Sequence, residues 1–299
     1  MQKTLIALSF LALCALPCAG RRPERVRIGT YNLRRAPLDE KSAENKWTVR
    51  EPRLIQSILD CNFDICGLQE VDLPEQESIP LAIAEKGVKY DSYFFGPYEE
   101  DGHGSRAHGL IWRSDRFRLV DGPHRFWVSD PPEKMQVNDR GSNKRGEFMR
   151  GGSCVILKDR KAGKKYFVMV THAPLNRVQH AENAHVYIDM EKKFNPRCLP
   201  SFFLGDLNVY ETEAASALYR SYWTDGYHAF DTDPGLRDGP EITFNGWKKE
   251  YDPSLQSRID YVYFKGQGVT PLHYTCNDTL YGGLLASDHY PVYIDFEIR

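Results

Sequence analysis

The sequence lacks a second long apolar run, a zinc-like cysteine spacing and a large excess of either charge. Outside residues 4–17, no apolar stretch approaches the ~20 residues that a membrane-spanning helix needs. The formal net charge is −2, which argues against nucleic-acid binding through a general basic field. The seven cysteines are scattered, which argues against a structural zinc site and against a disulfide framework.

One apolar run is present at the N-terminus. Residues 4–17 follow Lys3 and precede small residues, which is typical of a secretory signal. We predict a signal peptide at residues 1–20, cleaved near Ala19 or Gly20. The mature protein is then expected to be exported, to the periplasm or to the outside of the cell.

The cysteines allow two further statements. A lipoprotein anchored at Cys18 is the alternative to a cleaved signal, although Pro17 directly before it fits that type of signal poorly. Cys66 and Cys154 lie in apolar segments and are predicted to be buried thiols. The sequence leaves open whether a disulfide forms within the set Cys61, Cys66, Cys154, Cys198 and Cys276.

The rest of the chain, residues 25–299, alternates between strand-like and helix-like segments and contains no repeat and no interdomain linker. This pattern predicts a single α/β domain. Helices are predicted at 47–60 (entered near Pro52), 78–86, 176–194 and 211–222. Strands are predicted at 25–33, 63–70, 90–95, 109–113, 117–120, 125–128, 153–157, 165–171, 202–204, 258–264, 269–274 and 290–298.

The segment 202–208 has the clearest functional pattern, because an apolar run meets a glycine, an acid and an amide. Apolar residues followed by Gly205 indicate a buried strand that ends at a turn. Alternation along an extended chain places Asp206 and Asn208 on the same side of the strand end. A plain Asp/Asn turn is the alternative interpretation.

Other strands also end on polar residues of the same chemical classes. Carboxylates suit a hard cation, amides suit phosphate oxygens and histidines suit proton transfer. Together these residues indicate metal-assisted hydrolysis of a phosphoester. They are Asn32, Glu70, His172, Asp206, Asn208, Asp260, Asp288 and His289.

Six short motifs in order resemble those of the endonuclease/exonuclease/phosphatase superfamily. They are Thr30-Tyr31-Asn32, Leu68-Gln69-Glu70, Thr171-His172, Gly205-Asp206-Leu207-Asn208, Arg258-Ile259-Asp260-Tyr261 and Ser287-Asp288-His289. The chain looks most similar to the secreted bacterial branch of that superfamily. The resemblance implies a four-layered α/β sandwich, in which two packed mixed β-sheets are flanked by helices.

The resemblance also implies a metal site and a substrate site. Glu70 is expected to be the main ligand of Mg²⁺ or Mn²⁺, with Asn32 and Asp288 close by. Arg150 and Asn176, together with Asn208, are expected to bind the substrate phosphate. A guanidinium suits phosphate because it presents a fork of N–H donors.

Catalytic roles follow from the resemblance in the same way. Asp206 is expected to orient or deprotonate the attacking water. Asn208 and His289 are expected to hold phosphate oxygens, with Asp260 fixing the ring of His289. His172 is expected to contact the phosphate or to assist the leaving group.

One position departs from the pattern of the nuclease-type members. These often carry a glutamate that partners the first histidine, and Arg106 stands at that position here. Three alternatives follow: His108 compensates, a nearby acid such as Glu100 or Asp101 compensates, or His172 has no carboxylate partner.

The sequence therefore favours a metal-dependent phosphodiesterase or phosphomonoesterase, which we expect to be a monomer. The one evident basic cluster, around Lys144, Arg145 and Arg150, suits one or two phosphates, so a small molecule or a head group is the expected substrate. A nuclease of the same superfamily is the alternative. A binding protein that has lost catalysis is a third hypothesis, which the complete set of polar residues disfavours.

Overall fold

The computed structural model describes residues 24–36, 41–96, 107–134, 150–250, 252 and 257–299. The predicted signal peptide lies outside these residues, as do Arg106, Lys144 and Arg145 and the acids Glu100 and Asp101. Within them, no helix has the length and apolar character that crossing a membrane requires.

A seven-stranded sheet forms one half of the molecule. Its central strands β1 and β2 run parallel, and β13 pairs antiparallel with β1 on the other side. The strand order is β10-β12-β13-β1-β2-β4-β3. The strands are β1 (Glu24–Asn32), β2 (Ile65–Val71), β3 (Tyr90–Phe95), β4 (Ala107–Arg113), β10 (Arg237–Asp238), β12 (Val269–Cys276) and β13 (Val292–Ile298).

A six-stranded sheet forms the other half. Its strands β7 and β8 run parallel, and β11 is antiparallel to β8 with Asp260 opposite Asp206. The strand order is β5-β6-β7-β8-β11-β9. The strands are β5 (Phe117–Trp127), β6 (Gly151–Asp159), β7 (Lys165–His172), β8 (Ser201–Asp206), β9 (Thr224–Asp225) and β11 (Asp260–Lys265).

Two pairs of helices cover the outer faces of the sheets. These are α1 (Trp47–Cys61) and α2 (Leu73–Glu85) on the seven-stranded sheet, and α3 (His180–Phe194) and α4 (Ala214–Tyr222) on the other. The sequence of strand β8 is continuously apolar because both of its faces are buried. Phe202 and Leu204 pack between the sheets, whereas Phe203 packs under the helices. The prediction of two mixed sheets flanked by helices is confirmed.

Several predicted boundaries were wrong for local reasons. Pro52 lies inside α1, five residues after its first residue Trp47, and does not begin it. The strands predicted at 117–120 and 125–128 are one strand, β5, whose register shifts around Gly122. Helix α2 begins earlier than predicted, at Leu73, with a proline in its first turn.

The other two predicted helices begin later than expected. Helix α3 starts at His180 and not at 176, because residues 177–179 form a separate short 3₁₀ turn. Helix α4 starts at Ala214, because the backbone of the preceding Glu213 is extended, with ψ of 152°. The cysteine prediction is confirmed, since Cys66 and Cys154 are buried free thiols.

Gly205 allows β7 and β8 to approach at the edge where the polar residues gather. A Cβ atom at this position would lie 2.3 Å from the carbonyl oxygen of Thr171, which is its partner in the parallel ladder. Main-chain oxygen cannot move aside as the end of a flexible side chain can. Any larger residue therefore has to push the two strands apart.

We expect Gly205→Ala to destabilise the protein by about 1–3 kcal/mol, the usual cost of overpacking. Gly235→Ala is the control, because its Cβ would meet one side-chain atom, at 3.5 Å. Urea denaturation measures both free energies of unfolding. Equal stability of the two variants would contradict this account of the strand contact.

Candidate functional site

The two sheets bring the predicted residues to one edge of the sandwich. Strands β1 and β2 deliver Asn32 and Glu70 from the seven-stranded sheet. Strands β7 and β8 end on His172 and Asp206 in the six-stranded sheet. Asp260 begins the antiparallel strand beside Asp206. Because the sheets pack face to face, these ends form one polar cluster.

The carboxylate of Asp206 is the centre of this cluster. Its Oδ2 accepts a hydrogen bond from Nδ2 of Asn32 at 2.9 Å, across the two sheets. The same oxygen lies 3.3 Å from Nε2 of His172 and 3.8 Å from Nε2 of His289. Its other oxygen accepts the amide of Asn208 at 3.0 Å.

These contacts keep Asp206 ionised although it is buried. Burial by itself would raise the pKa of this carboxyl group, but the charges of His172 and His289 and the Asn32 amide outweigh it. The pKa of Asp206 therefore lies well below its usual range. A buried carboxylate of this kind can accept hydrogen bonds from a water and orient it.

His289 has a carboxylate behind it. Its Nδ1 lies 2.8 Å from Oδ2 of Asp260, which also accepts a hydrogen bond from the Thr243 hydroxyl at 2.7 Å. Burial opposes a charge on the ring, but Asp260 and Asp206 raise the pKa of His289 to about 10. The imidazole is therefore a fixed cation near neutral pH, with its other nitrogen directed to Asp206.

Asn208 lies in a turn and also faces the cleft. Its φ of 52° is left-handed, and the hydrogen bond from its main-chain amide to the carboxylate of Asp206 closes an Asp/Asn turn. Its side-chain nitrogen donates to the carbonyl of Ala173 at 3.1 Å. The two interpretations of this segment are thus compatible, because the turn is what places both side chains at the strand end.

Glu70 and Asp288 form a second acidic pair. The φ of Glu70 is also left-handed, at 58°, and its Oε2 accepts the amide of Arg35 at 3.2 Å. Burial and the nearby charge of Glu70 raise the pKa of Asp288 to about 6. The guanidinium of Arg34 lies 3.3 Å from Asp288. Two close carboxylates of this kind favour a cation between them.

Arg150 lies in the same cleft and is buried, with 5% of its surface exposed. Among the described residues, its Nε and Nη1 atoms find no hydrogen-bond partner. A buried guanidinium with unused donors is costly unless an anion binds it. This position therefore suits a phosphate group.

The structure answers part of the question about His172. Its Nε2 contacts Asp206, a partner that the sequence analysis did not consider, while its Nδ1 has no hydrogen-bond partner within the described residues. Burial, with nearby His172 and Arg150, lowers the pKa of His108 to about 3, so this neighbour is a neutral ring. Arg106, Glu100 and Asp101 lie outside the described residues.

Most of these side chains face one open cleft of about 860 Å³. The predicted residues that line it are Asn176, Asn208, Arg150, Glu70, His172, Asp206, Asp288 and His289, while Asn32 and Asp260 lie behind them. The lining residues that the sequence analysis missed are Arg34, Arg35, Leu175, Arg177, Val178, Tyr210, Phe244 and Ile259. Arg34 and Arg35 follow Asn32 closely, so the strand-end argument could have found them.

One buried cluster could hold a metal ion by its geometry. Asp206, Asp260 and His289 each offer a ligand atom, and these atoms lie within 4.8 Å of one another. Nδ1 of His289 and Oδ2 of Asp260 are already bonded to each other, however. The pair Glu70 and Asp288 lines the open cleft, and its contacts are with the amide of Arg35 and the guanidinium of Arg34 instead of with another candidate ligand.

Comparison with known proteins places this site in a family. The model of the endonuclease/exonuclease/phosphatase family matches residues 29–289. The chain therefore belongs to the endonuclease/exonuclease/phosphatase family. Among proteins with curated descriptions, none matches the chain significantly.

Solved structures share the fold at low sequence identity. An endonuclease/exonuclease/phosphatase from Bacteroides vulgatus is 22% identical with a TM-score of 0.78, over 92% of this chain and 100% of that one. A mannosyl-6-phosphatase from Bacteroides thetaiotaomicron is 22% identical with a TM-score of 0.76, over 91% and 99%. The human nocturnin catalytic domain, with a bound sulfate, is 19% identical with a TM-score of 0.69, over 93% and 95%.

Asp260→Asn should reduce the pH dependence of stability between about pH 6.5 and 10. The pKa of His289 rises from 6.5 to about 10 on folding. The contribution of His289 to the free energy of unfolding is then fully present below pH 6.5 and disappears as the pH rises through 10. Without the carboxylate of Asp260 the pKa of His289 is lower, so the protein loses less stability as the pH rises through this range.

Thermal denaturation across this range measures the difference. Asp238→Asn serves as the control, because it removes an exposed acid that lies 3.4 Å from His273 at the surface. That variant should keep the slope of the wild type. Parallel curves for the wild type and Asp260→Asn would show that Asp260 does not hold the proton on His289.

Proposed function

We propose that the protein is an exported, divalent-metal-dependent phosphoester hydrolase, acting as a phosphodiesterase or a phosphatase. One observation carries the proposal: the ionised Asp206 lies between two histidines, in the same cleft as Arg150, whose Nε and Nη1 have no hydrogen-bond partner within the described part of the chain. A base for water and a receptor for an anion are the two groups that phosphoester hydrolysis requires. Export is supported by residues 1–20 of the sequence alone.

The cation is proposed to bind at Glu70 and Asp288, with Asn32 behind them. The fit rests on the donor set, since both carboxylates face the cleft and the charge of Glu70 raises the pKa of Asp288. Oxygen donors without cysteine favour Mg²⁺ or Mn²⁺. When bound, such an ion would neutralise the negative charge that develops on the phosphate oxygens.

The chain's own residues are proposed to act on either side of the phosphate. Asp206 accepts a hydrogen bond from the attacking water, orients it, and takes up its proton as the new bond to phosphorus forms and the bond to the alcohol oxygen breaks. Arg150, Asn208 and the cationic His289 donate hydrogen bonds to the phosphate oxygens. His172, next to Asp206, assists the departure of the alcohol.

The lining of the cleft supports a small or head-group substrate. Leu175, Val178 and Phe244 are large apolar residues that are 42%, 85% and 38% exposed, and all three line the cleft. Apolar rims of this kind suit the ring or the chain of an alcohol attached to the phosphate. A polymer would need a row of cations to neutralise successive phosphates. The cleft also contains Arg34, Arg35 and Arg177, but these are paired with Asp288, Asp72 and Glu213 respectively.

We expect Asp206→Asn to lower kcat by about 10²–10⁴-fold, the usual contribution of a positioned base. The assay measures hydrolysis of a small phosphodiester and a phosphomonoester with Mg²⁺ or Mn²⁺. Asp225→Asn is the control, because Asp225 is equally buried but pairs with Arg258 outside the cleft. It should cost stability and leave kcat near the wild-type value.

Removal of the metal tests the other half of the proposal. A chelator should abolish hydrolysis, and Mg²⁺ or Mn²⁺ should restore it. Undiminished activity of a metal-free sample would rule out metal dependence. Wild-type kcat in Asp206→Asn would rule out the assigned base.

Substrate size is tested by comparing plasmid DNA with small phosphodiesters at low and moderate salt. We expect the small esters to be hydrolysed faster, and any activity on DNA to fall steeply as salt rises. Val178→Asp should weaken binding of esters with apolar alcohols, visible as a higher KM. Efficient plasmid nicking at moderate salt, with little activity on small esters, would instead identify a nuclease.

A further inference from the structure

A buried arginine on helix α1 lies behind the acidic pair of the cleft. Arg50 has no exposed surface, and it does not line the cleft. Its guanidinium donates to the carbonyls of Leu33 at 2.7 Å and Arg35 at 3.4 Å, and also to that of Arg34. These carbonyls belong to the loop that directly follows Asn32.

The same guanidinium reaches a second segment, far away along the chain. Nη1 of Arg50 donates to the carbonyl of Ala286 at 3.3 Å, two residues before Asp288. A planar fork of N–H donors can hold carbonyls from several chain segments at once, which the ammonium of lysine cannot do with fixed directions. Arg50 thus ties the loop after β1 to the loop before β13.

Aromatic rings fix the guanidinium in this place. The Cζ atom of Arg50 lies 4.9 Å from the centre of the Trp47 ring and 5.8 Å from that of the Trp247 ring. Trp247 belongs to a turn whose amides, those of Asn245 and Gly246, donate to the carbonyl of Asp288 at 2.8 and 3.0 Å. A third segment around Asp288 therefore packs on the same cation.

The two tied loops carry the groups that set the acidic pair. The amide of Arg35 donates to Glu70, and the side chain of Arg34 pairs with Asp288. A further bond, from the hydroxyl of Ser287 to the carbonyl of Asn32 at 2.8 Å, joins the loops beside Arg50. Loss of the guanidinium would allow these loops to separate, and Glu70 and Asp288 with them.

We propose that Arg50 is a positioning residue, which sets the distance between Glu70 and Asp288 by holding the main chain of both loops. The functional half of this proposal rests on the proposed hydrolase activity. Removing a residue that orients ligands from behind typically costs 10–100-fold in metal affinity or activity. Its structural half can be tested without any substrate.

The test compares Arg50→Lys with Arg116→Lys. Arg116 is also buried, and it pairs with Asp64 at 2.9 Å and Asp159 at 2.8 Å, none of which lines the cleft. Both changes keep the charge and remove the fork. The measurements are the melting temperature, kcat, KM, the affinity for Mn²⁺ alone by calorimetry, and backbone hydrogen exchange.

We expect Arg50→Lys to speed hydrogen exchange in residues 29–36 and 284–290 and to lower the affinity for Mn²⁺ and kcat by about 10–100-fold each. Arg116→Lys should lower the melting temperature without these changes. If Arg50→Lys only lowers the melting temperature, and exchange in the two segments and Mn²⁺ affinity match the wild type, the proposal is wrong.

Two further outcomes are decided by the same design. If the wild type hydrolyses no phosphoester, the proposed function fails, while hydrogen exchange and Mn²⁺ affinity still decide the role of Arg50. If Arg50→Lys does not fold, Trp47→Leu replaces it, because it removes the ring under the guanidinium and keeps the fork. Faster exchange in both segments with weaker Mn²⁺ binding supports the proposal, and unchanged values contradict it.

Discussion

The contact between Asn32 and Asp206 is the constraint on which the cleft depends. It joins the last residue of β1 in one sheet to the last residue of β8 in the other, at 2.9 Å. Burial alone would raise the pKa of Asp206, and His172, His289 and, as the smallest contribution, the Asn32 amide together lower it. The Asn32–Asp206 hydrogen bond therefore ties the polar edges of the two sheets to each other.

Side chains behind the cleft hold this polar edge in place. The face between the sheets is apolar, whereas the polar edge is held by side chains that reach it from behind: Thr243 fixes Asp260, Ser287 joins the loop after β1, and Arg50 extends from α1. None of these three residues lines the cleft. The geometry of the cleft thus depends on residues whose substitution would first look like a loss of stability.

Strand ends were predictable from the sequence because an apolar run that stops at a polar residue is a local signal. Asn32, Glu70, His172 and Asp206 were located in this way, and the six ordered motifs supplied the fold. Contacts between distant strands were not predictable. The approach of His172 to Asp206 depends on the parallel pairing of β7 with β8, and the role of Arg50 depends on three segments that meet only in the folded chain.

The two histidines beside Asp206 differ in what stands behind them, and this asymmetry suggests a division of roles. Behind His289 is Asp260, a carboxylate that keeps the ring charged and fixed in direction. On the far side of His172 the described residues offer no hydrogen bond to Nδ1, and the nearby His108 is neutral. A permanently charged donor suits a phosphate oxygen, whose charge persists through the reaction. His172 instead shares the carboxylate of Asp206 with His289, and the proposed mechanism assigns to it the assistance of the leaving alcohol.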